Sequence, residues 1–307
     1  MHVTLRQLQV FSAVARHGSF TRAAKDLHLT QPAVSMQVKQ LETQAGLPLI
    51  ETTGKQARAT EAGEEVLAYA RAIFAQVEDL KATLDALRGL ESGRLRISAA
   101  TTANYFVPIL LSIFHARYPG ADVSLDVTNR QTLLDQLAEN EADMVIMGAP
   151  PGEMELEAGA FMENPLVIIA PRDHPFADVA DIPLSEMNGR TFLVRETGSG
   201  TRQAMERFFS AHGVSFKTGM EVTSDEAIKQ SVQAGLGLGF MSRDAVQMER
   251  ELDRLAILDV QHTPLRRQWY VVHRKSKRLS PLAETFKRFL LDEAAEVLGR
   301  DNSHSAP

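Results

Sequence analysis

Cysteine is absent from the 307 residues. Disulfides, thiolate zinc sites and a cysteine nucleophile are therefore excluded, although this absence does not identify the compartment. Long apolar runs are also missing. No stretch approaches the roughly 18 apolar residues that span a bilayer, and the N-terminus lacks the apolar core of a signal peptide. We therefore expect a cytoplasmic protein that has no membrane partner.

Residue sets for catalysis or metal binding are missing as well. The nine histidines are scattered, and none has a metal-ligand spacing such as His-Glu-x-x-His. Ser199 lies in a Gly-Ser-Gly turn, without the Gly-x-Ser-x-Gly elbow of serine hydrolases. We therefore predict that the protein is not an enzyme and holds neither a metal nor a resident cofactor.

Length and charge indicate a modular protein. A chain of 307 residues is long for one domain, and we expect two or three core-forming units. Residues 1–60 contain seven Lys and Arg against three acidic residues, a net charge of +4, whereas the remainder carries −10. A basic head on an acidic body indicates that only the head binds a polyanion. Chance fluctuation in a short window is the alternative.

Three short amphipathic helices are predicted in the first 45 residues. Ser19 and Thr30 are suitable N-caps for the second and third helices, and Pro32 suits a first turn because its missing N–H is not needed there. This layout is typical of a helix–turn–helix, and a solvated helical hairpin is the alternative. The third helix has an inner stripe of Val34, Val38 and Leu41 and a polar outer face of Gln31, Ser35 and Lys39. Such an outer face can contact base edges or phosphates.

A long helix is predicted over residues 61–88. Its apolar residues are spaced alternately by four and three, which is the 3.5-residue period of a coiled-coil seam. The seam consists of Val66, Ala70, Ile73, Val77, Leu80, Leu84 and Leu87. Acidic and basic residues flank this narrow stripe, so we expect it to pair two chains; packing on the chain's own core is the alternative. Glu91-Ser92-Gly93 forms a short polar joint after the helix.

Strands and helices alternate after Gly93, which predicts α/β units with largely parallel sheets. A helix is expected over residues 104–118. Two loops, residues 101–104 and 197–201, follow predicted strands, where helix N-termini offer N–H donors to anions. The second loop has two glycines, several hydroxyls and the neighbouring Arg195 and Arg202, which favours an anionic ligand. A solvated turn is the alternative.

The first sixty positions resemble the LysR-type transcription regulators. The resemblance rests on the segments Phe11-Ser12-Ala13-Val14-Ala15, Gly18-Ser19-Phe20, Thr30-Gln31-Pro32-Ala33-Val34-Ser35, Gly46-Leu47-Pro48-Leu49 and Thr60-Glu61-Ala62-Gly63. It implies that Gln31, Pro32 and Ser35 approach bases and that Thr30 and Lys39 contact the DNA backbone. Residues 52–58 would form a wing with the cations Lys55 and Arg58. Ile50 and Thr52 depart from the usual wing residues.

The resemblance also implies the domain organisation. Residues 1–60 would form a winged helix–turn–helix, residues 61–90 a linker and dimerisation helix, and residues 91–307 a two-lobed effector domain like the periplasmic binding proteins. Lobe one would comprise residues 93–162 and 266–302, and lobe two residues 163–265, with hinges near Glu163 and Leu265. Double-stranded DNA, a small-molecule effector and further copies of the chain, in a homodimer or homotetramer, are the expected partners, and RNA polymerase is a possible one.

Within the family, the sensor half is similar to the regulators of Calvin-cycle (RuBisCO) operons. The similar segments include Asn104-Tyr105-Phe106-Val107-Pro108, Asn129-Arg130, Met147-Gly148-Ala149-Pro150-Pro151 and Gly198-Ser199-Gly200-Thr201-Arg202. This implies control of carbon-fixation genes by a reversible effector: a sugar phosphate, phosphoenolpyruvate or NADPH. The expected effector-binding residues are Thr101, Thr102, Asn104, Asn129, Arg195, Gly198, Ser199, Gly200, Thr201 and Arg202. A regulator of another metabolic operon and a solute-binding protein are the alternatives.

Overall fold

The computed structural model describes residues 2–54, 56–87 and 93–299. It divides into two compact units, residues 1–81 and 82–307, each of which we describe by itself. The predicted wing cation Lys55, the side chain of Leu87, most of the joint at 91–93 and the predicted end of lobe one at 300–302 lie outside the described residues. Among the described helices, none is both long enough and apolar enough to cross a membrane.

The first unit is a three-helix head with a hairpin and the start of a long helix. The predicted N-caps are confirmed, since Ser19 Oγ accepts from the Arg22 N–H and Thr30 Oγ1 from the Ala33 N–H. The wing forms a two-stranded antiparallel hairpin. The elements are α1 Leu5–His17, α2 Phe20–Asp26, α3 Gln31–Ala45, β1 Ile50–Thr53, β2 Gln56–Ala59 and α4 Glu61–Leu87.

The apolar core of the head determines which face of α3 is exposed. Val34, Val38 and Leu41 of α3 are buried beside Phe11 of α1, as their helical spacing predicts. Glu42 at the far end of α3 accepts from the N–H groups of residues 49 and 50, which ties the helix to the base of the hairpin. The outer face of α3 is consequently left on the surface.

The second unit contains two five-stranded sheets, and we define its lobes by them. Lobe one has the strand order β4-β3-β5-β12-β6, and lobe two has the order β11-β7-β10-β8-β9. The strands of lobe one are β3 Gly93–Ala100, β4 Ala121–Thr128, β5 Met144–Met147, β6 Leu156–Glu163 and β12 Gln268–Arg274. Its helices are α5 Val107–Arg117, α6 Arg130–Ala138 and α10 Pro281–Val297.

Lobe two lies between β6 and β12 in the chain, so the backbone crosses between the lobes twice. Its strands are β7 Leu166–Pro171, β8 Thr191–Arg195, β9 Lys217–Val222, β10 Leu238–Ser242 and β11 Leu255–Leu258. Its helices are α7 Gly200–Ala211, α8 Asp225–Gln233 and α9 Gln247–Glu251. Residues 166 and 265 pair beside the crossings.

Two expectations about the second unit are wrong. The sheets are mixed rather than largely parallel, because β12 runs antiparallel to β5 and β6, and β7 antiparallel to β10 and β11. The helix expected over 104–118 is also interrupted: a 3₁₀ turn spans Thr101–Tyr105, and α5 begins only at Val107. Pro108 explains that start, because a residue without an N–H belongs in the first turn of a helix.

Candidate functional site

A polar cleft lies where strands of both lobes end. The space between its walls measures about 410 Å³, a volume that includes open solvent. The carboxyl ends of parallel strands are the usual ligand sites of such sheets. From lobe one and the crossings it is lined by Ala100, Thr101, Thr102, Asn129, Arg130, Met147, Gly148, Asn164, Arg267 and Trp269, and from lobe two by Arg195, Ser199, Gly200 and Thr201.

Two helix N-termini meet at this cleft. Asn129 caps α6 by accepting from the Thr132 N–H at 3.0 Å, and Ser199 caps α7 by accepting from the Arg202 N–H at 3.4 Å. A Cβ on Gly200 would lie 3.4 Å from Arg130 Cδ, so the first residues of the two helices touch across the cleft. Each helix start carries partial positive charge, and together they favour an anion between them.

Arg267 reaches across the cleft from lobe one. Its Nη1 donates to the Gly200 carbonyl at 3.3 Å, and no carboxylate of the described residues forms an ion pair with it. Burial, followed by the neighbouring charges of Arg207 and Arg130, lowers the pKa of the Arg267 guanidinium to about 10. A guanidinium stays protonated at neutral pH, so the shift means that this cation is destabilised where it lies.

Arg130 adds a second cation to the cleft. Its Nη1 donates to the Ala149 carbonyl at 2.7 Å, and its pKa is lowered by burial and by Arg207. Arg207 lies on α7 of lobe two; it is exposed and outside the cleft lining, but its charge is close enough to affect both Arg130 and Arg267. In the chain as described, none of the three has an acidic partner. We call Arg130, Arg207 and Arg267 the arginine cluster.

Arg195 was expected to supply positive charge to the cleft, but carboxylates pair with it instead. Its side chain is buried and donates to Asp225 Oδ1 at 2.5 Å and to Glu196 Oε2 at 2.8 Å. It also donates to Thr101 Oγ1 at 3.0 Å, a contact between the lobes. Two carboxylates of lobe two neutralise its charge, so Arg195 contributes one hydrogen bond between the lobes and little positive potential to the cleft.

The structure brings together seven of the ten predicted effector-binding residues. Thr101, Thr102, Asn129, Arg195, Ser199, Gly200 and Thr201 line the cleft. Gly198 lies beside them, where an added Cβ would be 3.4 Å from Gln131 Cβ. Asn104 is exposed outside the lining, and Arg202 pairs with Glu206 and Glu221 instead. The binding role of all ten stays a prediction.

Sequence reasoning missed several lining residues. Arg130 directly follows the predicted Asn129, so the start of a helix was the signal that could have found it. Asn164 and Arg267 lie at the two crossings, about one hundred residues apart in the chain, and only the fold brings them together. Within the described ranges, no group of three His, Asp or Glu side chains is placed to hold a metal ion.

The head presents the predicted DNA-contacting residues on its surface. Thr30, Gln31, Pro32 and Lys39 are exposed, and Ser35 between them is half-buried. The wing residue Arg58 is exposed, and its Nη2 donates to Gln56 Oε1 at 3.4 Å. Their contacts with DNA stay predictions. The polar face of α3 and the hairpin that is tied to its far end are both open to a long polyanion.

The predicted seam on α4 has two parts. Ala70 is fully buried and Val66 partly buried against the core of the head itself. The next apolar residues of the stripe are exposed: Ile73, Val77, Leu80 and Leu84 are between 39% and 59% accessible. The alternative of packing on the chain's own core therefore describes the first two positions, and an unpartnered apolar stripe begins at Ile73.

Two family patterns match this sequence and together span most of it. Residues 5–64 match the bacterial regulatory helix-turn-helix protein, lysR family, and residues 88–295 match the LysR substrate binding domain. The chain belongs to the LysR family. This result agrees with the head and the two-lobed unit described above, and the α/β fold class predicted from the sequence is confirmed.

Individual members of the LysR family are similar along nearly the whole chain. A RuBisCO operon transcriptional regulator of Allochromatium vinosum is 54% identical over 297 residues, which is 97% of this chain and 98% of that protein. The CcmR regulatory domain of Synechocystis PCC6803, solved in complex with 2-PG, is 39% identical, with a TM-score of 0.64 over 70% of this chain and 100% of that one. Full-length OxyR of Pseudomonas aeruginosa shares the fold, with a TM-score of 0.75 at 24% identity over 96% of this chain and 95% of that one.

Proposed function

We propose that this protein is a DNA-binding transcription regulator of carbon-fixation genes that responds to a small phosphorylated anion bound in the cleft. The observation that carries the effector proposal is Arg267, a half-buried cation that pairs with no carboxylate of the described residues and lies near two further arginines. Burying an unpaired charge is costly, and an anion that accepts from the cluster removes that cost. A phosphate suits guanidinium groups because it can accept two parallel hydrogen bonds from each.

The likeness to named regulators supports the choice of genes. The relative from Allochromatium vinosum is named for the RuBisCO operon, and its similarity extends over both the head and the effector unit. The Synechocystis domain that was solved with 2-PG matches this chain over its effector unit. Together they favour carbon-fixation genes and a phosphorylated effector over a regulator of another operon or a solute-binding protein. We propose a cytoplasmic protein without enzymatic activity.

The cleft also supports a mechanism. An anion held there would contact Arg130 and Arg267 from lobe one and the start of α7 from lobe two, with the positive charge of Arg207 nearby. Because it binds both lobes, it favours the lobe arrangement in which all of these groups converge. Copies of the chain would be joined along α4 as a homodimer or homotetramer. The rearrangement of the lobes would then alter the spacing of two heads on double-stranded DNA. RNA polymerase would respond to the altered protein–DNA complex.

The test is operator binding with and without effector. The protein of 307 residues is footprinted on the DNA upstream of a RuBisCO operon, in the presence of 3-phosphoglycerate, ribose 5-phosphate, phosphoenolpyruvate or NADPH. The proposal requires a footprint that at least one of these anions alters. No footprint on this DNA would refute the gene assignment, and a footprint that none of the anions changes would refute the effector assignment.

A further inference from the structure

A carboxylate of α3 holds the segment from which the first strand of the hairpin starts. We call residues 48–50 the wing base. Glu42 Oε1 accepts from the Leu49 N–H at 2.9 Å and from the Ile50 N–H at 3.1 Å. Residue 48 is a proline without an N–H, so one carboxylate oxygen accepts from both backbone donors of the wing base. A carboxylate is a stronger acceptor than a neutral group.

The start of α4 holds the wing base from the other side. Thr60 Oγ1 donates to the Pro48 carbonyl at 2.7 Å, and the Thr60 N–H donates to the Leu49 carbonyl at 3.0 Å. A Cβ on Gly63 would stand 2.1 Å from the Leu49 carbonyl oxygen, so α4 can pass this close only because residue 63 is a glycine. The Leu49 side chain is 1% exposed, in the core of the head. The wing base is therefore clamped between α3 and α4.

The rest of the hairpin has few packing contacts that could fix its direction. Of the described residues in β1 and β2, Ala57 is the only buried one. The Ala57 N–H donates to the Gly18 carbonyl at 3.0 Å, which supports β2. An isolated two-stranded hairpin is marginally stable at best. The direction of β1 consequently depends on the hydrogen bonds at the wing base, and Glu42 accepts two of them.

The direction of the hairpin matters for DNA binding because the hairpin carries Arg58. Glu42 lies eleven residues after Gln31 in α3, or about 16 Å along the helix. The start of α3 and the hairpin must meet one duplex at the same time, and groups held at a fixed separation bind more tightly than groups that are ordered on binding. A hairpin free to swing would lose the contact of Arg58 and leave α3 undisturbed.

We propose that Glu42 is a positioning residue for DNA binding, which sets the direction of the hairpin and so the place at which Arg58 contacts the duplex. A carboxylate in the basic head opposes binding to a polyanion by its charge. The two hydrogen bonds to the wing base account for its presence there. This inference rests on the DNA binding of the proposed function and is independent of the genes and the effector.

The test compares Glu42→Gln with Glu42→Met in the 307-residue protein. Both replacements are uncharged and similar in length, so they change the electrostatic attraction to DNA equally, but only glutamine offers an oxygen to the wing base. The probe is a duplex that the wild type selects from a random pool, and fluorescence anisotropy measures its affinity. We expect Glu42→Met to bind about tenfold more weakly than Glu42→Gln. Equal affinities would overturn the inference.

Double variants distinguish a misplaced hairpin from a damaged head. Combined with Glu42→Gln, Arg58→Ala should weaken binding about tenfold; combined with Glu42→Met, about twofold at most, because a misplaced hairpin has no contact left to lose. Lys39→Ala, on the outer face of α3, should have the same effect in both combinations. An equal effect of Arg58→Ala in both combinations would overturn the inference. So would a loss of both effects beside Glu42→Met, since the whole head would then be disturbed.

Glu42→Asp is a second variant, which keeps the charge and withdraws the carboxylate by one methylene. Compared with the wild type, it should also reduce the effect of Arg58→Ala, and an undiminished effect would count against the positioning role. Failure of the wider proposal looks different. If the wild type selects no DNA from the pool, the DNA-binding function fails. If it selects DNA but Arg58→Ala binds that DNA as the wild type does, only the inference fails.

Discussion

The guanidinium of Arg267 lies over Gly148, so close that a Cβ on that glycine would stand 2.4 Å from Nη2. Gly148 directly follows β5 at the floor of the cleft. Its missing side chain is what allows Arg267 to extend toward lobe two and donate to the Gly200 carbonyl. A glycine in the loop after a buried strand thus sets the position of the main cation of the proposed effector site.

Gly148→Ala should displace the Arg267 side chain without unfolding lobe one. The colliding atom is the far end of a flexible side chain, so the methyl group moves the guanidinium rather than the backbone. We expect phosphorylated ligands to bind about tenfold more weakly, equivalent to about 1.4 kcal/mol, as measured by calorimetry. Gly152→Ala is the matched control, because nothing lies within 4 Å of a Cβ there. Wild-type affinity in Gly148→Ala would contradict this role.

Arg267→Met should abolish the stabilisation by ligand without lowering the stability of the ligand-free protein. Removing a half-buried, unpaired cation should leave the Tm of the ligand-free protein unchanged or raise it. A saturating phosphorylated ligand should raise the wild-type Tm by about 5 °C and the variant's Tm by almost nothing. Differential scanning fluorimetry measures both values, and the exposed Arg288→Met serves as control. A large drop in the ligand-free Tm of Arg267→Met would show that its role is structural.

The Arg195–Asp225 pair should behave as a buried structural ion pair. Asp225→Asn leaves the arginine with Glu196 alone and should reduce the free energy of unfolding by about 3 kcal/mol. The double variant Arg195→Met/Asp225→Leu removes both charges and should cost less than the single variant. Urea unfolding followed by the fluorescence of Trp269, the single tryptophan in the sequence, reports this directly. A double variant less stable than Asp225→Asn would contradict the pairing.

The exposed stripe on α4 should hold copies of the chain together. Val77→Glu/Leu80→Glu places two charges on the stripe and should shift the protein toward monomers, because desolvating unpaired carboxylates in an apolar interface is costly. Sedimentation velocity measures the change. Ala68→Glu, an exposed position on the same helix, is the control. Unaltered assembly of the double variant at low micromolar concentration would show that the chains associate elsewhere.

The sequence predicted local structure more completely than the proposed site. The caps at Ser19 and Thr30 and the stripe on α3 depend on neighbours a few residues apart, so periodicity was sufficient. The strands β6 and β9 escaped prediction because exposed residues break up their apolar pattern. The pairing of Arg202 with Glu206 is an i, i+4 contact that the sequence could have shown.

The residues of the cleft, in contrast, could not be predicted from their neighbours in the sequence. Arg195 was expected to supply charge, and Asp225, thirty residues later, neutralises it. Arg267 and Asn164 are brought together only because the backbone crosses between the lobes twice. No local pattern marks such residues, since their neighbours in sequence pack into different sheets.

An anion in the cleft is proposed to control DNA binding by the head. The most direct measurement is a footprint on the DNA upstream of a RuBisCO operon, for the wild type and Arg267→Met, with and without the phosphorylated ligand that binds most tightly. We predict that both proteins protect the DNA equally without ligand and that the ligand changes the wild-type footprint alone. A wild-type footprint that the ligand leaves unchanged would show that no anion controls DNA binding, and an Arg267→Met footprint that responds as the wild type does would show that Arg267 does not bind the ligand.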